Sequence, residues 1–528
     1  MKRFNVTGLC VPEEDYMVDI GGKIAKIKKL VDDRAYFTIN RARQYGKTTT
    51  LAMLRRSLKA DYVVISISFE RFGQNSFESP KAFCRAFMIF IQRALAFADI
   101  SDEYRGLWLN DDVTDFDALS IHITNMCSPD TMGVGYKLVL MIDEVDKTSN
   151  NLVFLHFLGI LRDKFLLRKD NMDYTFHSVI LAGVYDIKNI KMKMINEGTY
   201  ETATTEDKLY NSPWNIAVNF SIDMSFSPTE ISTMLEEHET DHKTGMDIPA
   251  ISDEIYSYTS GYPFLVSRIC QCIDEELGQD WTIHGINNAV QIMLREKNTL
   301  FDDMVKNIEG NEGLRAFLNN LLIVGKEYAF NIDDPIINLG STYGYLKENE
   351  QHKARIANRI FEVRICNFFI SKEATSTNHI TGILQRDVVD GDRFNMELCL
   401  TKFTEHYAEI YDERDAEFID REGRMLFLSY LRPLINGQGV YHIESQFTDF
   451  RRMDLVVDFA SEQFILELKL WKGEAEHEKA YEQLAGYLES KNTSTGYLLT
   501  FDFRKDANKQ PYAKWVEYCE KQIFDVVI

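Results

Sequence analysis

The sequence lacks a long apolar run, cysteines in a paired or metal-binding arrangement, and an excess of positive charge. No uninterrupted apolar run approaches the length of a membrane span, and residues 1–20 contain four carboxylates instead of the apolar core of a signal peptide. The eight cysteines are scattered, and the close pair Cys270-x-Cys272 lacks metal-site spacing. These absences predict a cytoplasmic protein with free thiols and no membrane contact.

Positive charge is scarce throughout the 528 residues. The 59 lysines and arginines are outnumbered by 81 aspartates and glutamates, which gives a net charge of −22. A field of this sign repels nucleic acid, so any contact with DNA requires a local basic patch. The composition, 45% hydrophobic and 27% charged, is that of a globular protein, and the length predicts about two to four domains.

A phosphate-binding loop is the strongest positive signal. Tyr36–Ile39 is rich in aromatic and β-branched residues and predicts a strand, whereas Thr48–Leu58 has apolar residues at helical spacing. Gly46-Lys47-Thr48 stands between them, where backbone N–H groups and a helix N-terminus face an anion. We expect Lys47 to reach the β- and γ-phosphates of ATP, and the Thr48 hydroxyl to ligate Mg²⁺.

This loop lacks one glycine of the usual pattern. Five positions before Gly46 the residue is Arg41. Because Gly-Lys-Thr is common by chance, an ordinary strand–turn–helix with an exposed lysine is an alternative on these residues alone.

A second signal lies about ninety residues downstream. Lys137–Ile142 is a continuous apolar run that ends in Asp143-Glu144, as expected of a strand buried on both faces of a parallel sheet. Asp143 would hold Mg²⁺, directly or through water, and Glu144 would polarise the attacking water. Alone, these carboxylates also fit a strand ending in a solvated acidic turn. Together with the phosphate loop, they predict ATP binding.

Candidates for residues near the γ-phosphate come from the next predicted strand, Ser178–Val184, and from the helix predicted at 151–168. They are Tyr185 and Asp186 as sensors, and Arg162 and Arg168 as an arginine finger. A solvated helix face is the alternative for the two arginines.

The loop at 40–48, which reads Asn-Arg-Ala-Arg-Gln-Tyr-Gly-Lys-Thr, resembles the arginine-rich, glycine-poor phosphate loop of a bacterial AAA-ATPase-like family. In that family the loop typically runs Arg-Pro-Arg-Arg-Phe-Gly-Lys-Ser. Arg41 is thus expected, whereas Ala42 and Gln44 depart from the common form. Asn211–Asn215 and Asp223–Ser227 also resemble the family, whose members carry the ATPase at the N-terminus and commonly a PD-(D/E)XK nuclease-like domain at the C-terminus.

The resemblance implies a P-loop AAA+-like parallel sheet with a helical lid. The residues expected around ATP and Mg²⁺ are Arg43, Gln44, Tyr45, Gly46, Lys47, Thr48, Thr49, Asp143 and Pro263. Pro263 belongs to Gly261-Tyr262-Pro263, which packs near the nucleotide in related AAA+ lids, and Arg268 resembles a second sensor. Ordinary helix punctuation is the alternative for this tripeptide.

The predicted fold class is α/β, with an ATPase core, helical modules and a second α/β domain. The expected domains are 1–225 for the AAA+-like core, 226–300 for the helical lid, 301–370 for a winged-helix-like module, 371–395 for a linker, and 396–528 for a PD-(D/E)XK restriction-endonuclease-like domain. Ala354–Phe361 is expected to supply β-type structure to the winged-helix-like module. That module lacks a dense basic recognition helix, so we expect it to transmit nucleotide state.

The C-terminal domain places a carboxylate and an amine on one predicted strand. Met453–Phe459 and Phe464–Leu470 predict a hairpin. A strand period of two places Glu467 and Lys469 on the same face. The residues expected to point into the core are Leu466, Leu468 and Leu470.

Asp454, Glu467 and Lys469 resemble the PD-(D/E)XK nuclease motif. By this resemblance the two carboxylates hold Mg²⁺, which activates water, and the lysine orients that water or neutralises charge. Gln483, on the following helix, resembles the accessory glutamine of several nuclease branches. Further candidates are Glu422 as an additional metal-orienting carboxylate, and Arg451, Arg452, Lys472 and Lys479 as positive charge for phosphate contact. A strand-edge solvating lysine is the alternative for Lys469.

The principal hypothesis is an ATPase whose nucleotide state positions a metal-dependent DNA endonuclease. A role in defence against foreign DNA rests on the family resemblance alone. The rival hypothesis is a signalling or scaffold protein in which ATP drives a conformational switch and the nuclease-like domain only binds. A third is an ATPase with an inert C-terminal domain. AAA+ relatives often assemble with ATP between subunits, which leaves a homo-oligomer open.

Overall fold

The computed structural model describes residues 2–131, 135–148, 152–184, 214–322, 326–376, 388–391, 393–410, 427–428, 430–431, 434–435, 439–444, 454–460, 462–471, 473–502 and 511–528. The chain divides into two compact units. The first comprises Met1–Lys243, Gly261–Arg268 and Thr342–Gly344, and the second comprises Thr244–Ser260, Ile269–Ser341 and Tyr345–Ile528.

A four-stranded parallel sheet forms the centre of the first unit. Its strands are β1 (Tyr36–Asn40), β2 (Val63–Ser68), β3 (Leu138–Asp143) and β4 (Ser178–Gly183). They lie in the order β1-β4-β3-β2. Both β3 and β4 are buried along their whole length, which is the pattern of strands covered on both faces. The predicted bounds of β1, β3 and β4 are confirmed to within one residue.

Helices connect and cover these strands. They are α1 (Gly21–Asp32), α2 (Lys47–Leu58), α3 (Pro80–Leu95), α4 (Asp102–Leu107), α5 (Phe116–Cys127), α6 (Leu152–Lys169) and α7 (Pro228–His242). The side chains of Ser79, Ser101 and Asp115 cap α3, α4 and α5 by accepting backbone N–H groups. A buried apolar cluster that includes Phe87, Phe157 and many sheet residues holds these layers together.

Residues 248–376 are mainly helical. The elements are α8 (Ile248–Thr259), α9 (Pro263–Glu275), α10 (Ile283–Arg295), α11 (Thr299–Glu309), α12 (Glu312–Leu322), α13 (Pro335–Thr342), the hairpin of β5 (Leu346–Glu348) and β6 (Ala354–Ile356), and α14 (Arg359–Ser376). In the described parts of the chain, no helix combines the length and hydropathy that a membrane crossing requires.

Two expectations for this region differ from the structure. The predicted β-type stretch Ala354–Phe361 is a strand only as far as Ile356, and a helix begins at Arg359. The cause is a helix cap, because the Asn358 side chain accepts the Phe361 N–H at 2.8 Å. Within the expected linker 371–395, α14 continues to Ser376, and β7 (Val389–Asp390) pairs with β8 (Arg393–Phe394).

A six-stranded mixed sheet forms the C-terminal part of the second unit. Its elements are α15 (Met396–Ile410), β9 (Gly439–Glu444), β10 (Asp454–Phe459), β11 (Glu462–Leu470), α16 (Glu474–Ser490), β12 (Thr495–Phe501), β13 (Tyr512–Tyr518) and β14 (Lys521–Val527). The strand order is β13-β14-β12-β11-β10-β9.

Strand direction in this sheet explains the position of α16. Strands β9, β10 and β11 are antiparallel neighbours, whereas β11 and β12 are parallel. A parallel pair requires a crossover, and α16 supplies it. Leu484 and Leu488 of this helix pack in one buried cluster with Ile465 of β11 and Leu498 of β12. The predicted hairpin of β10 and β11 is confirmed.

Candidate functional site

The first element of the candidate site is the open N-terminus of α2. Gly46 stands at the N-cap with φ of 74°, and no side chain caps this helix. Gln44 also has a positive φ, of 55°. The first N–H groups of a helix have no partner within it and carry the positive end of its dipole. This end of α2 is therefore free to receive an anion from the side of the loop.

Lys47 lies beneath the loop instead of extending into solvent. Its ammonium donates to the carbonyl oxygens of Arg41 and Ala42, both at 2.9 Å. Burial lowers the pKa of Lys47, although the carboxylates of Asp146, Glu144 and Asp143 act in the opposite direction. The alternative interpretation expected an exposed lysine at this position. It is wrong on this point, because Lys47 is only 8% exposed.

The loop and the end of β3 meet through one hydrogen bond. The Thr48 hydroxyl donates to Oδ2 of Asp143 at 2.8 Å. A hydroxyl and a carboxylate are hard oxygen ligands of the kind that Mg²⁺ prefers. Asp143 is buried, which does not fit the alternative of a solvated acidic turn. The pair predicted from the sequence as Mg²⁺ ligands is therefore brought into contact.

Glu144 follows in a strained conformation. Its φ is 56°, and its N–H donates to Oδ1 of Asp143 at 2.9 Å. Burial, with the neighbouring charge of Asp143, raises the pKa of the Glu144 carboxyl above its ordinary value. A carboxylate whose pKa lies nearer neutrality is a better proton acceptor, as suits the role predicted for it.

Sequence reasoning missed Asp146. Its Oδ2 accepts the Val184 N–H at 2.6 Å, so it joins the turn after β3 to the end of β4. A Cβ on Gly183 would lie 2.7 Å from Oδ1 of Asp146, so this approach requires glycine. The only signal in the sequence is a third carboxylate two positions after Glu144.

Arg41, at the position of the missing glycine, does not face the phosphate site. Its guanidinium donates to the Ile222 carbonyl at 2.6 Å and lies 5.3 Å from the ring centre of Phe220. Burial lowers the pKa of Arg41. Arg41 is not among the residues with positive φ, so its backbone does not require glycine. The arginine therefore replaces that glycine without obstructing the loop.

An apolar cavity of about 300 Å³ adjoins the loop in the first unit. Four segments line it, namely residues 5–20, residues 44–53 of the loop and α2, residues 224–234, and residues 263–267. Tyr262 donates its hydroxyl to the Arg43 carbonyl and its ring contacts that of Tyr45, at 4.7 Å between centres. A Cβ on Gly46 would be 4.0 Å from Cβ of Pro263.

The structure thus brings to one cavity five of the residues that the resemblance implied to lie around the nucleotide, namely Gln44, Tyr45, Gly46, Thr49 and Pro263. The Thr49 hydroxyl oxygen accepts the Cys10 N–H at 3.3 Å, which holds the N-terminal segment at the cavity wall. The contribution of residues 5–20 was not predicted, because no motif in that segment indicates it.

The second predicted site gathers Glu467, Lys469 and Gln483. Lys469 forms an ion pair with Glu467 and donates to Oε1 of Gln483 at 2.9 Å. Asp454 is the register partner of Glu467 across β10 and β11. Its side chain lies outside the described residues. Three of the four predicted side chains are therefore in contact. The fourth residue, Asp454, lies directly opposite Glu467 on the neighbouring strand.

The burial expected for β11 is wrong in part. Glu467 is only 2% exposed, whereas Leu468 and Leu470, expected in the core, are half-buried. The reason is α16, which packs on the face that carries Ile465 and Glu467. The alternative of a solvated strand-edge lysine does not fit either, because Lys469 has two described partners.

Other sequence candidates have different outcomes. Arg168 donates to the Phe176, His177 and Arg34 carbonyls near the start of β4, so it braces the opposite edge of the sheet and is not an arginine finger. Arg162 and Arg268 are half-buried, on α6 and α9. Lys479 is exposed and pairs with Glu476 at 2.6 Å. The predictions for Tyr185, Asp186, Asn211–Pro213, Glu422, Arg451, Arg452 and Lys472 lie outside the described residues.

Comparison with known proteins identifies the segment that carries the phosphate loop. Residues 23–285 match the family model of an AAA-like domain. This segment includes both the phosphate loop and the end of β3, so the match supports the AAA-like ATPase part of the resemblance. No curated protein matches the chain.

Three solved structures illustrate what this chain is similar to. The Walker-type ATPase of Pyrococcus abyssi is 10% identical, with 69% of this chain and 99% of that chain covered and a TM-score of 0.46. The ADP form of the ORC2 protein of Aeropyrum pernix is 12% identical, with coverage of 70% and 98% and a TM-score of 0.36. The RuvB Holliday junction branch migration motor of Thermotoga maritima is 11% identical, with coverage of 64% and 91% and a TM-score of 0.31.

The raised pKa of Glu144 predicts a pH-dependent effect of Glu144→Gln on stability. A carboxyl whose pKa is raised on folding destabilises the folded state above that pKa, and this cost disappears below the ordinary value of 4.5. We expect Glu144→Gln to raise Tm by about 2 °C at pH 7.5 and to lose this gain toward pH 4.5, as measured by thermal denaturation. The control is Glu78→Gln, at an exposed glutamate. A gain that does not depend on pH would contradict the assignment.

Proposed function

We propose that the AAA-like domain binds and hydrolyses ATP with Mg²⁺, and that its nucleotide state controls a metal-dependent nuclease site for DNA in residues 396–528. The hydrogen bond from Thr48 to Asp143 carries this proposal. It unites two weak sequence signals, about ninety residues apart, in one constellation of a helix N-terminus, a lysine and two hard oxygen ligands.

In this proposal the phosphates of ATP lie over the N-terminus of α2. Lys47 exchanges its two carbonyl partners for the β- and γ-phosphate oxygens, which are stronger acceptors because they are charged. Thr48 and Asp143 hold Mg²⁺, which offsets the phosphate charge, and Glu144 accepts a proton from the attacking water. Arg43, exposed at the loop, adds positive charge on the same side.

The nucleoside occupies the apolar cavity beside Gly46. Its lining residues, among them Met53, Met224 and Pro263, offer surface for a flat base, whereas Gln44 and Thr49 stand at the loop side. The cavity adjoins the N-terminus of α2, so one ligand reaches both places. This adjacency supports a nucleotide over inorganic phosphate alone.

The cluster at β11 supports the nuclease part of the proposal. Burying the Glu467 carboxylate costs free energy unless charge and hydrogen bonds compensate, and Lys469 with Gln483 supplies part of that compensation. Such buried, charge-coupled groups concentrate at functional sites. Glu467 and Asp454 would hold Mg²⁺, which activates water for attack on a phosphodiester, while Lys469 neutralises developing charge.

The domain assignments and the biological role belong to the same proposal. Residues 226–300 act as the lid, 301–370 as a winged-helix-like transmitter and 371–395 as the connection to the nuclease-like domain. A transmitter of this kind includes the helices α11 to α13 followed by the hairpin of β5 and β6. Defence against foreign DNA, DNA contact through local basic patches, and ATP-dependent homo-oligomerisation rest on the family resemblance.

ATP turnover tests the first half of the proposal. We expect Lys47→Ala to weaken ATP binding at least tenfold, because a buried cation that faces the phosphates is lost. Glu144→Gln should retain ATP and lose about 10²- to 10⁴-fold in kcat, the usual contribution of a general base. The measurements are phosphate release and equilibrium ATP binding, with Lys59→Ala as the control for an exposed lysine. Unchanged turnover in Glu144→Gln would assign the base to another group.

Plasmid cleavage tests the second half. With Mg²⁺ or Mn²⁺, we expect the wild type to nick or cut plasmid DNA, and Lys469→Ala and Asp454→Ala to be inactive. Lys514→Ala is the control, because Lys514 is an exposed lysine on β13 of the same sheet and belongs to no proposed site. Cleavage by Lys47→Ala, without and with ATP, shows whether ATP activates or restrains the site. If neither the wild type nor Lys469→Ala cleaves plasmid DNA under any nucleotide condition, the ATP-switch scaffold is favoured.

A further inference from the structure

A groove on the first unit lies at the sheet edge opposite the phosphate loop. It has a volume of about 900 Å³ and is formed where β2 and β3 begin and where α2 and α3 end. We call it the basic groove. Its defining residues are Arg55, Arg56, Lys59, Phe97, Tyr136 and Lys137. Because parallel strands begin at one edge and end at the other, the groove and the nucleotide site are separate places on one domain.

The four cationic side chains of the basic groove are exposed. Arg56 approaches Glu13 at 3.7 Å, whereas the other three have no ion-pair partner among the described residues. Of the two carboxylates in the lining, Asp61 already pairs with Lys28 at 2.7 Å. The other carboxylate, Asp99, is exposed. The four cations outnumber the two carboxylates of the lining, so the groove keeps a net positive charge.

This charge is unusual for the chain that carries it. Residues 21–60 contain eleven lysines and arginines against two aspartates, while the whole sequence has an acidic excess. Part of the local charge is expected, since cations near the end of α2 offset its dipole. That account does not cover Lys137, which stands at the start of β3. Cations from two separate elements thus converge on one concave surface.

An aromatic side chain lies beside these cations. Phe97 is 86% exposed, and Tyr136 is half-buried in the same lining. Phe97 is the most exposed large apolar side chain among the described residues, so its phenyl ring is available to stack on a ligand with flat apolar faces. Positive charge that follows a phosphate backbone, with an aromatic ring on which a base stacks, is the usual design for binding single strands.

We propose that the basic groove binds single-stranded nucleic acid, with Arg55, Lys59 and Lys137 contacting phosphates and Phe97 stacking on a base. The groove has about three times the volume of the cavity at the phosphate loop, so it admits more than one nucleotide unit. A rigid duplex cannot enter such a concave surface as readily as a flexible strand. This function goes beyond ATP hydrolysis and cleavage, and it places strand binding on the AAA-like domain itself.

The test measures binding of a fluorescein-labelled single-stranded oligonucleotide of about 20 nucleotides to the full chain by fluorescence anisotropy. EDTA is present, so that metal-dependent cleavage cannot remove the probe. The double variant Arg55→Ala with Lys59→Ala should bind about tenfold more weakly at low salt. Its logarithmic salt slope should be shallower by about 1.4, since a single strand releases about 0.7 counterion per phosphate contact.

Two further variants separate stacking from charge. Phe97→Ala should weaken binding by about tenfold without a change in the salt slope, because a stacking contact carries no counterions. The double variant Lys81→Ala with Arg85→Ala removes the same charge from the exposed opposite end of α3 and should bind like the wild type. Retained ATP turnover and an unchanged Tm show that each variant is folded.

Three outcomes would overturn the proposal. They are an absence of oligonucleotide binding by the wild type, equal binding by the Arg55/Lys59 variant, and competition by poly-glutamate as strong as that by unlabelled oligonucleotide. The last outcome would indicate an acidic protein as the partner. Plasmid cleavage by the wild type and by Lys469→Ala tests the nuclease site separately, so failure of the nuclease assignment and failure of strand binding are distinguishable.

Discussion

Parallel pairing of β1, β4 and β3 is the constraint on which the nucleotide site depends. Asn40 at the end of β1 pairs with Gly183 of β4, and Asp143 at the end of β3 pairs with Ser68 of β2. The strands therefore end at one edge, where the phosphate loop and the acidic turn meet. Asp146 then fixes the turn after β3 against β4. Burial of both central strands makes this register costly to change.

The strand ends explain why much of this site was predictable. An apolar run followed by polar residues indicates both burial and the end of a strand, which places Asp143 and Glu144. The Gly-Lys-Thr motif places Thr48. The direction of the Arg41 side chain does not, because it depends on Phe220 and Ile222, far away in the chain. The same holds for residues 5–20 at the cavity, whose position is fixed by long-range contacts such as that of Cys10 with Thr49.

The C-terminal site also combines features that the sequence predicts with features that depend on distant parts of the chain. A period of two correctly places Glu467 and Lys469 together, and helical spacing indicates the helix that carries Gln483. The pattern fails for burial, because a sheet can be covered on both faces and the second cover comes from α16. Alternation of polar and apolar residues then no longer distinguishes the core from solvent. Net charge is similarly limited as a predictor of local charge, because the negative net charge of the whole sequence conceals the concentration of cations in residues 21–60.

In the proposed function, Thr48 and Asp143 form one Mg²⁺–nucleotide site with the phosphate loop. The direct measurement is the titration of a fluorescent, non-hydrolysable ATP analogue with Mg²⁺ and with EDTA, for the wild type, Thr48→Ser and Thr48→Val. We expect Mg²⁺ to tighten binding of the analogue in the wild type and in Thr48→Ser. Thr48→Val should lose this gain and bind as tightly as the wild type in EDTA. An equal Mg²⁺ effect in Thr48→Val would exclude Thr48 as part of the Mg²⁺ site.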